Sequence, residues 1–401
     1  MSMKEIIKCI GKRKLFNILI FLQVLFSILY FFITLVSMQA VVNSNIAVNK
    51  ELDSNPKRTI YIEIQNEDSD NFSNFKKDLL TANIVDNFSG WRNDFFSPYT
   101  LDLMDSINDI DSVNLTKGCE KLKKVNVHEG RYFTDSDYNK EITNGSKSKP
   151  YSMILGSEFA NNQNAKVGDS YHDVNDEYYK VVGILDSSSK WFNQTLTDGR
   201  IMSMDNAVMV AYVDDPDNPI MHYYSIINDN VSSEKAIYTI NKIAKKYNIV
   251  LDANIVSEKL DQLYESNIAE NGSWVILSIF IMLFVSIGSS ILIISHMYKR
   301  KNEIGIRMAN GYSFKKILLL LWGEFFVVAF LAFLLSLLIT NIYCSGGKVM
   351  MSSTYYISQF HLSSEIVLIG IGIFLLMCLP SIFALVFKLR KLQPKDLIGG
   401  K

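Results

Sequence analysis

The sequence predicts an α-helical membrane protein with four transmembrane helices and a large α+β extracytoplasmic domain inserted between the first and second spans. Three observations carry that expectation. Four long, almost uncharged runs are separated by polar sequence, positive charge is confined to one side of those runs, and the stretch between the first two runs is acidic and patterned like an independent domain. Composition agrees: 48% hydrophobic and 20% charged residues coexist in a chain of 401. Such a mixture results when apolar spans are segregated from a water-exposed part.

Leu15–Val42 and Ile366–Phe387 carry no charge, Trp274–Met297 holds only His296 near its end, and Ile317–Tyr343 holds only Glu324. Each run reaches the roughly 20 residues that a helix needs to cross a bilayer, and lipid leaves the backbone no open alternative to helix. The first run far exceeds the ~7–15 apolar residues of a secretory signal and is read as a retained span. The expected spans are therefore 15–42, 273–297, 317–343 and 366–387, with a short outer loop at 344–365.

Charge sets the expected orientation. Residues 1–14, 298–316 and 388–401 together hold 16 Lys and Arg against 3 acids, whereas residues 43–272 hold 23 against 36. By the positive-inside rule both termini and the 298–316 segment are cytoplasmic, and 43–272 lies outside. In residues 1–14, Ile6, Ile7 and Ile10 share one helical face opposite Lys4, Lys8 and Lys12, which predicts a cytoplasmic amphipathic helix in the headgroup plane. Residues 388–401 form a cytoplasmic tail. Of Cys9, Cys119, Cys344 and Cys378, only Cys119 lies in the outer domain, so no internal disulfide is expected there. A large outer domain without disulfides suits the cytoplasmic membrane of a bacterium.

Within 43–272, β-rich alternating runs predict strands at 59–64, 121–127, 151–155, 178–185, 207–213, 222–227 and 249–256. Helices are expected over 70–80 and 233–247, an irregular stretch around 89–98, a turn at 144–150, and a two-proline break at 214–219. The closing strand–helix–strand reads as a βαβ-like or βα-hairpin unit, giving an α+β domain. Residues 257–271 read as a stalk helix running into the second span.

Chemical motifs are absent. A phosphate-cradling loop needs Gly-x-x-x-x-Gly-Lys followed by Ser or Thr, and Gly346-Gly347-Lys348 leads into Val349. This chain is therefore expected to bind no cofactor itself. His128, His172, His222, His296 and His361 lack ligand-like spacing, and no Gly-x-Ser-x-Gly elbow occurs; no catalytic residue and no metal ligand are assigned. Glu324, a carboxyl inside a span, costs roughly 2.5–3.5 kcal/mol on the insertion scale if charged at mid-membrane. It is read as a helix–helix or subunit contact ahead of an ion or proton site.

The cytoplasmic segment 298–316 is the most informative. Ile304, Ile306 and Met308 are apolar, Arg300, Glu303 and Arg307 are helix-spaced, and Asn310-Gly311 supplies a left-handed cap. A short helix at the membrane surface, where a simple hairpin would serve, reads as a docking surface for something inside the cell.

The pattern Arg300-x-x-Glu303-Ile304-Gly305-Ile306-Arg307-x-x-x-Gly311 closely resembles the cytoplasmic loop of MacB/FtsX-type ABC permeases. The resemblance extends to Glu324, to Pro380-x-x-x-Ala384, to Lys391–Leu397, to Glu129-Gly130-Arg131-Tyr132-Phe133, and to Val167-Gly168-Asp169 with the following Tyr179–Leu185 strand. It implies a non-catalytic permease subunit. A cytoplasmic ABC ATPase, in two copies and carrying its own ATP and Mg, would dock on the segment through Arg300, Glu303, Ile304, Gly305, Ile306, Arg307, Met308 and Gly311. A second permease chain, the same or homologous, would complete the assembly in membrane lipid, with a possible extracytoplasmic adaptor or peptide substrate and no nucleic acid. The expected activity is mechanical movement of the outer domain, exporting or expelling a peptide such as a bacteriocin, toxin or antimicrobial peptide. Two alternatives stand beside it: an FtsX-like regulator that activates a cell-wall hydrolase without transport, and an ATP-independent membrane sensor or immunity protein.

Overall fold

Long apolar sequence and short alternating sequence separate cleanly in the computed structural model, which describes residues 14–65, 69–98, 110–138, 150–173, 177–196, 201–212, 220–350 and 361–390. The expected 1–14 amphipathic helix, the 144–150 turn, the 214–219 break, residues 351–360 of the 344–365 loop and the 391–397 motif lie wholly or largely outside these residues. The helices are α1 (Lys14–Glu51), α2 (Ser69–Thr81), α3 (Ser157–Gln163), α4 (Ser233–Lys246), α5 (Val256–Lys299), α6 (Lys301–Ala309), α7 (Phe314–Met350) and α8 (Ser364–Arg390). The chain divides into two units, Met1–Ala40 with Ile268–Gly347 and Phe360–Lys401, and Val41–Asn267 with Lys348–Gln359.

In the first unit, α1, α5, α7 and α8 are each long and apolar enough to span a membrane. The chain is a multi-pass membrane protein with a mixed α/β domain between the first and second spans. Aromatic rings fill the bundle: Phe32 lies 5.9 Å from Phe333, and Phe333 lies 4.9 Å from Phe374. Gly370 of α8 admits this packing, because a Cβ there would stand 2.3 Å from the Phe32 ring. Small polar groups brace the helices pairwise. Gln23 Nε2 donates to Ser289 Oγ at 2.6 Å, Ser286 Oγ to the Met377 carbonyl at 2.7 Å, and Ser336 Oγ to the Leu25 carbonyl at 3.1 Å. In lipid such bonds add to van der Waals contact as the adhesive between helices.

In the second unit the strands are β1 (Thr59–Ile64), β2 (Ser89–Phe96), β3 (Ile110–Leu115), β4 (Val127–Gly130), β5 (Tyr151–Leu155), β6 (Ser170–His172), β7 (Tyr178–Leu185), β8 (Lys190–Phe192), β9 (Ile201–Ser203), β10 (Val208–Ala211), β11 (His222–Ile226) and β12 (Leu251–Ile255). Among the described residues the main sheet runs β12-β1-β11-β2-β3-β10-β5-β7-β4, with β6 on β7 and β8 paired to β9. β1 lies between β11 and β12 and is antiparallel to both. The expected strand–helix–strand unit is thus a crossover with β1 threaded through its middle. Its helix α4 is capped by Ser232, whose side chain accepts from Lys235 N, and it buries Ala236, Ile240 and Ala244 at four-residue intervals. With Phe75 and Leu79 of α2 these cover one face of the sheet. The opposite face holds Trp91, Trp191, Phe192 and Tyr224; Trp91 stacks on Tyr224 at 4.7 Å and donates to the Asn193 carbonyl at 2.7 Å.

Two expectations fail. The irregular stretch around 89–98 is instead largely strand β2, paired to β3 from Trp91 to Phe96. The strand expected over 121–127 is a 3-10 turn (Cys119–Lys121) followed by irregular chain. Its backbone is used elsewhere: the Leu122 carbonyl accepts from Asp53 and Ser54 N at 3.0 and 3.3 Å. Lys123, nearly buried, donates to Glu51 at 2.5 Å.

The Glu-Gly-Arg-aromatic piece has a local reason as well. Arg131 closes onto Asp137 through both guanidinium nitrogens, at 2.6 and 3.0 Å. Burial pushes the Asp137 carboxyl up, but hydrogen bonds from Arg131, Ser152 and Thr134 outweigh it and hold it below the usual carboxylate range.

Cys119 is buried and donates from Sγ to the Gly90 carbonyl at 3.2 Å. Burial, with the nearby Glu120 charge, pushes its thiol up to about 12. Because only the thiolate attacks, alkylation of Cys119 is expected to be more than 100-fold slower in the folded chain than after denaturation. Peptide mapping of the alkylated protein measures this, and labelling at the denatured rate would refute it.

The 298–316 segment and its buried anchor

At the end of α5 the chain makes a single turn at Arg300, whose N–H bonds the Met297 carbonyl at 3.0 Å, and re-enters helix as α6. α6 closes with Gly311 at φ +83°. Gly311 N donates to the Met308 carbonyl and Tyr312 N to the Arg307 carbonyl, both at 3.0 Å. This double bond pattern is the Schellman closure, which needs a left-handed residue after the helix. α7 then starts at Phe314. The Tyr312 ring lies 5.7 Å from the Arg307 guanidinium and 5.9 Å from Lys316 Nζ.

Beneath α6 sits a charge cluster. Arg300 is 3% exposed and Glu324 of α7 is 6% exposed. Arg300 Nη1 donates to both Glu324 oxygens, at 2.8 and 2.9 Å. Its Nε and Nη2 form a fork on the two Glu303 oxygens, each at 3.0 Å. Arg307 Nη2 adds a bond to Glu303 at 3.0 Å. On the far side of Glu324, His296 Nε2 stands 3.7 Å away, and the His296 ring stacks on Phe16 at 4.3 Å. Two carboxylates and two guanidiniums thus balance. One planar guanidinium answers both acids at once, a geometry a lysine ammonium does not reproduce. The chemical capacity of the arrangement is positional: it pins α6 to the third span.

The eight residues read as docking contacts do not share one surface. Arg300, Ile304 and Gly305 are buried and hold α6 from within. Met308 packs against the bundle core, and Glu303 and Arg307 are half-buried in the network. Ile306 and Gly311 face outward, Ile306 at 56% exposure against 1% for Ile304. Asn302 and Ala309, one turn either side of Ile306, are exposed with it. Glu324 has Arg300 as its partner. His296 was missed, although its i, i+4 spacing to Arg300 was a usable signal. Among the described residues no group of three His, Cys, Asp or Glu side chains is placed to hold a metal.

Residues 275–394 match the FtsX-like permease C-terminal family. No curated protein matches the chain in sequence. Among solved structures, the periplasmic region of MacB from Actinobacillus actinomycetemcomitans is similar at 12% identity and a TM-score of 0.37, over 52% of this chain and 94% of that one. The extracellular domain of the noncanonic ABC-type transporter YknZ from Gram-positive bacteria is similar at 13% identity and a TM-score of 0.32, over 49% of this chain and 99% of that one. The residues matched to the FtsX-like permease C-terminal family take in the second to fourth spans, α6 and the Arg300 anchor.

Proposed function

We propose that this chain is the permease subunit of an ABC transporter in which a separate cytoplasmic ATPase docks on α6. The observation that supports it best is the contrast within α6: a short helix pinned from below by Arg300 that turns Ile306, with Asn302 and Ala309, outward. An exposed isoleucine on a rigidly seated helix is a ready anchor for a partner groove. Two ATPases and a second permease chain complete the assembly, and ATP with Mg belongs to the ATPase. In this reading ATP-driven movement of α6 passes into α5, a helix without interruption from Val256 to Lys299, and so to the inserted domain outside the cell. The cargo is a peptide, and the acidic outer domain favours a cationic one through its long-range field.

Ile306→Asp is expected to lower the ATPase recovered with tagged, membrane-extracted chain at least tenfold while leaving the chain's melting temperature unchanged, because the residue is already in water. Retention of the ATPase at wild-type stoichiometry would refute docking on this face. Wild-type chain that brings down no ATPase would favour the sensor or immunity reading, and co-recovery of a cell-wall hydrolase would favour the regulator reading.

A further inference from the structure

We infer that Lys123 is a positioning residue: it closes a clamp that fixes the height and rotation of α1 where that helix ends inside the inserted domain. α1 runs without interruption from Lys14 to Glu51, about 57 Å at 1.5 Å per residue. That is well beyond the roughly 30 Å of hydrocarbon a span has to cross. Its last turns belong to the inserted domain. There Val48 is fully buried and Leu52, just past the helix end, is nearly so; both share a core with Val256 and Leu260 of α5. This packing supplies adhesion. Apolar contact is non-directional, however, and by itself it sets neither the axial position of a helix nor its rotation.

The directional contacts come from one short segment. Its base is the 3-10 turn Cys119–Lys121, seated in the core by the fully buried Cys119 and Leu122. From there Lys123 Nζ donates to the Glu51 carbonyl at 3.2 Å and to Glu51 Oε2 at 2.5 Å. That carbonyl belongs to the last residue of α1, one of the four that a helix leaves without an internal donor, and a cation there complements the helix dipole. The Leu122 carbonyl accepts from Asp53 and Ser54 N, and Lys124 N donates to Asp53 Oδ2 at 2.6 Å. From β8, Lys190 Nζ stands 3.6 Å from Glu51 Oε1. The helix end and the residues after it are thus gripped through side chain and backbone together.

The choice of lysine argues for position over adhesion. Lys123 is 7% exposed, and lysine is almost never buried unless paired. Replacing a buried ion pair by apolar residues is often neutral or stabilising, so adhesion alone is served as well by a leucine. What the ion pair adds, with its second bond to a backbone carbonyl, is direction: Glu51 satisfies Lys123 through carboxylate and carbonyl at one height and one rotation of α1. This inference rests on the proposed passage of movement to the inserted domain. It adds α1 to α5 as a second helix that the domain holds without slack.

Pulsed electron paramagnetic resonance on the full chain in lipid nanodiscs tests the clamp. Spin labels go on Ile46→Cys of α1 and Tyr238→Cys of α4, both exposed positions. Cys9 is replaced by serine, and Cys119, Cys344 and Cys378 are buried. The labelled parent chain is expected to give one narrow distance distribution, and Lys123→Met to broaden it at least twofold. The double variant Lys123→Met with Glu51→Leu, which leaves no buried charge unpaired, is expected to melt near the parent chain and still to give the broad distribution. A merely adhesive role would return the double variant to the narrow one. A narrow distribution in either variant, or a broad one in the parent chain, would overturn the inference; the double variant decides it if Lys123→Met alone fails to fold. The measurement needs no ATPase, so its failure and failure of the transporter reading are separate results.

Discussion

Arg300→Met is expected to destabilise the membrane unit by about 3–5 kcal/mol, the cost of leaving one member of a buried ion pair without its partner. Glu324 would keep only His296, at 3.7 Å, and Glu303 would lose its fork and retain Arg307. Arg300→Lys is expected to rescue poorly, since one ammonium cannot span the Glu303 and Glu324 carboxylates with the fixed fork that Arg300 uses. The informative variant is the double replacement Arg300→Met with Glu324→Leu. Removing both charges of a buried pair is often neutral or stabilising, so the double variant should melt near the wild type. It should nevertheless lose the ATPase, because α6 is no longer tied to the third span. Thermal melting in nanodiscs, paired with ATPase recovery, separates the two effects. A single Arg300→Met chain as stable as the wild type, or a double variant that still holds the ATPase, would show that the cluster does not position α6.

Gly130→Ala is expected to cost the inserted domain about 2–5 kcal/mol. The residue sits at φ +84°, where a side chain is strained by roughly 1–2 kcal/mol. An added Cβ would also stand 2.4 Å from the Val182 carbonyl oxygen and 2.9 Å from the Gly183 Cα. Backbone cannot yield as a flexible side chain does, and overpacking of this kind adds about 1–3 kcal/mol or more. The control is Gly168→Ala: φ there is +101°, but nothing lies within 4 Å of the added Cβ. It carries the strain alone and should cost about 1–2 kcal/mol. Urea unfolding followed by tryptophan fluorescence reports on the domain through Trp91 and Trp191. Equal losses for the two variants would mean that the close approach of β4 to β7 contributes nothing.

Sequence reasoning succeeded where the controlling physics is local. The strands at 59–64, 151–155 and 178–185 coincide with β1, β5 and β7, since each is a dense run of β-branched and aromatic residues. β2 was hidden because Arg92-Asn93-Asp94 is poor strand sequence, and it forms because β3 and β11 offer edges on either side. The run 121–127 alternates well enough for a strand, yet residues 51–54 capture its backbone and the Lys123 amine. Propensity cannot see a partner some 70 residues away.

The same division applies to the candidate site. Four spans were readable because lipid permits an isolated chain segment only one backbone solution. The end of α6 was readable because Asn310-Gly311 sets its left-handed closure locally. Which face of α6 is presented was not: Ile304 and Ile306 are chemically alike, and only packing against the bundle buries the first and exposes the second. Nor could spacing reveal that Arg300 belongs to Glu324. They are 24 residues apart, one in the turn before α6 and the other on α7, and the pairing arises when a guanidinium and a carboxylate, each too costly to bury alone, are brought within hydrogen-bond reach by the folded bundle.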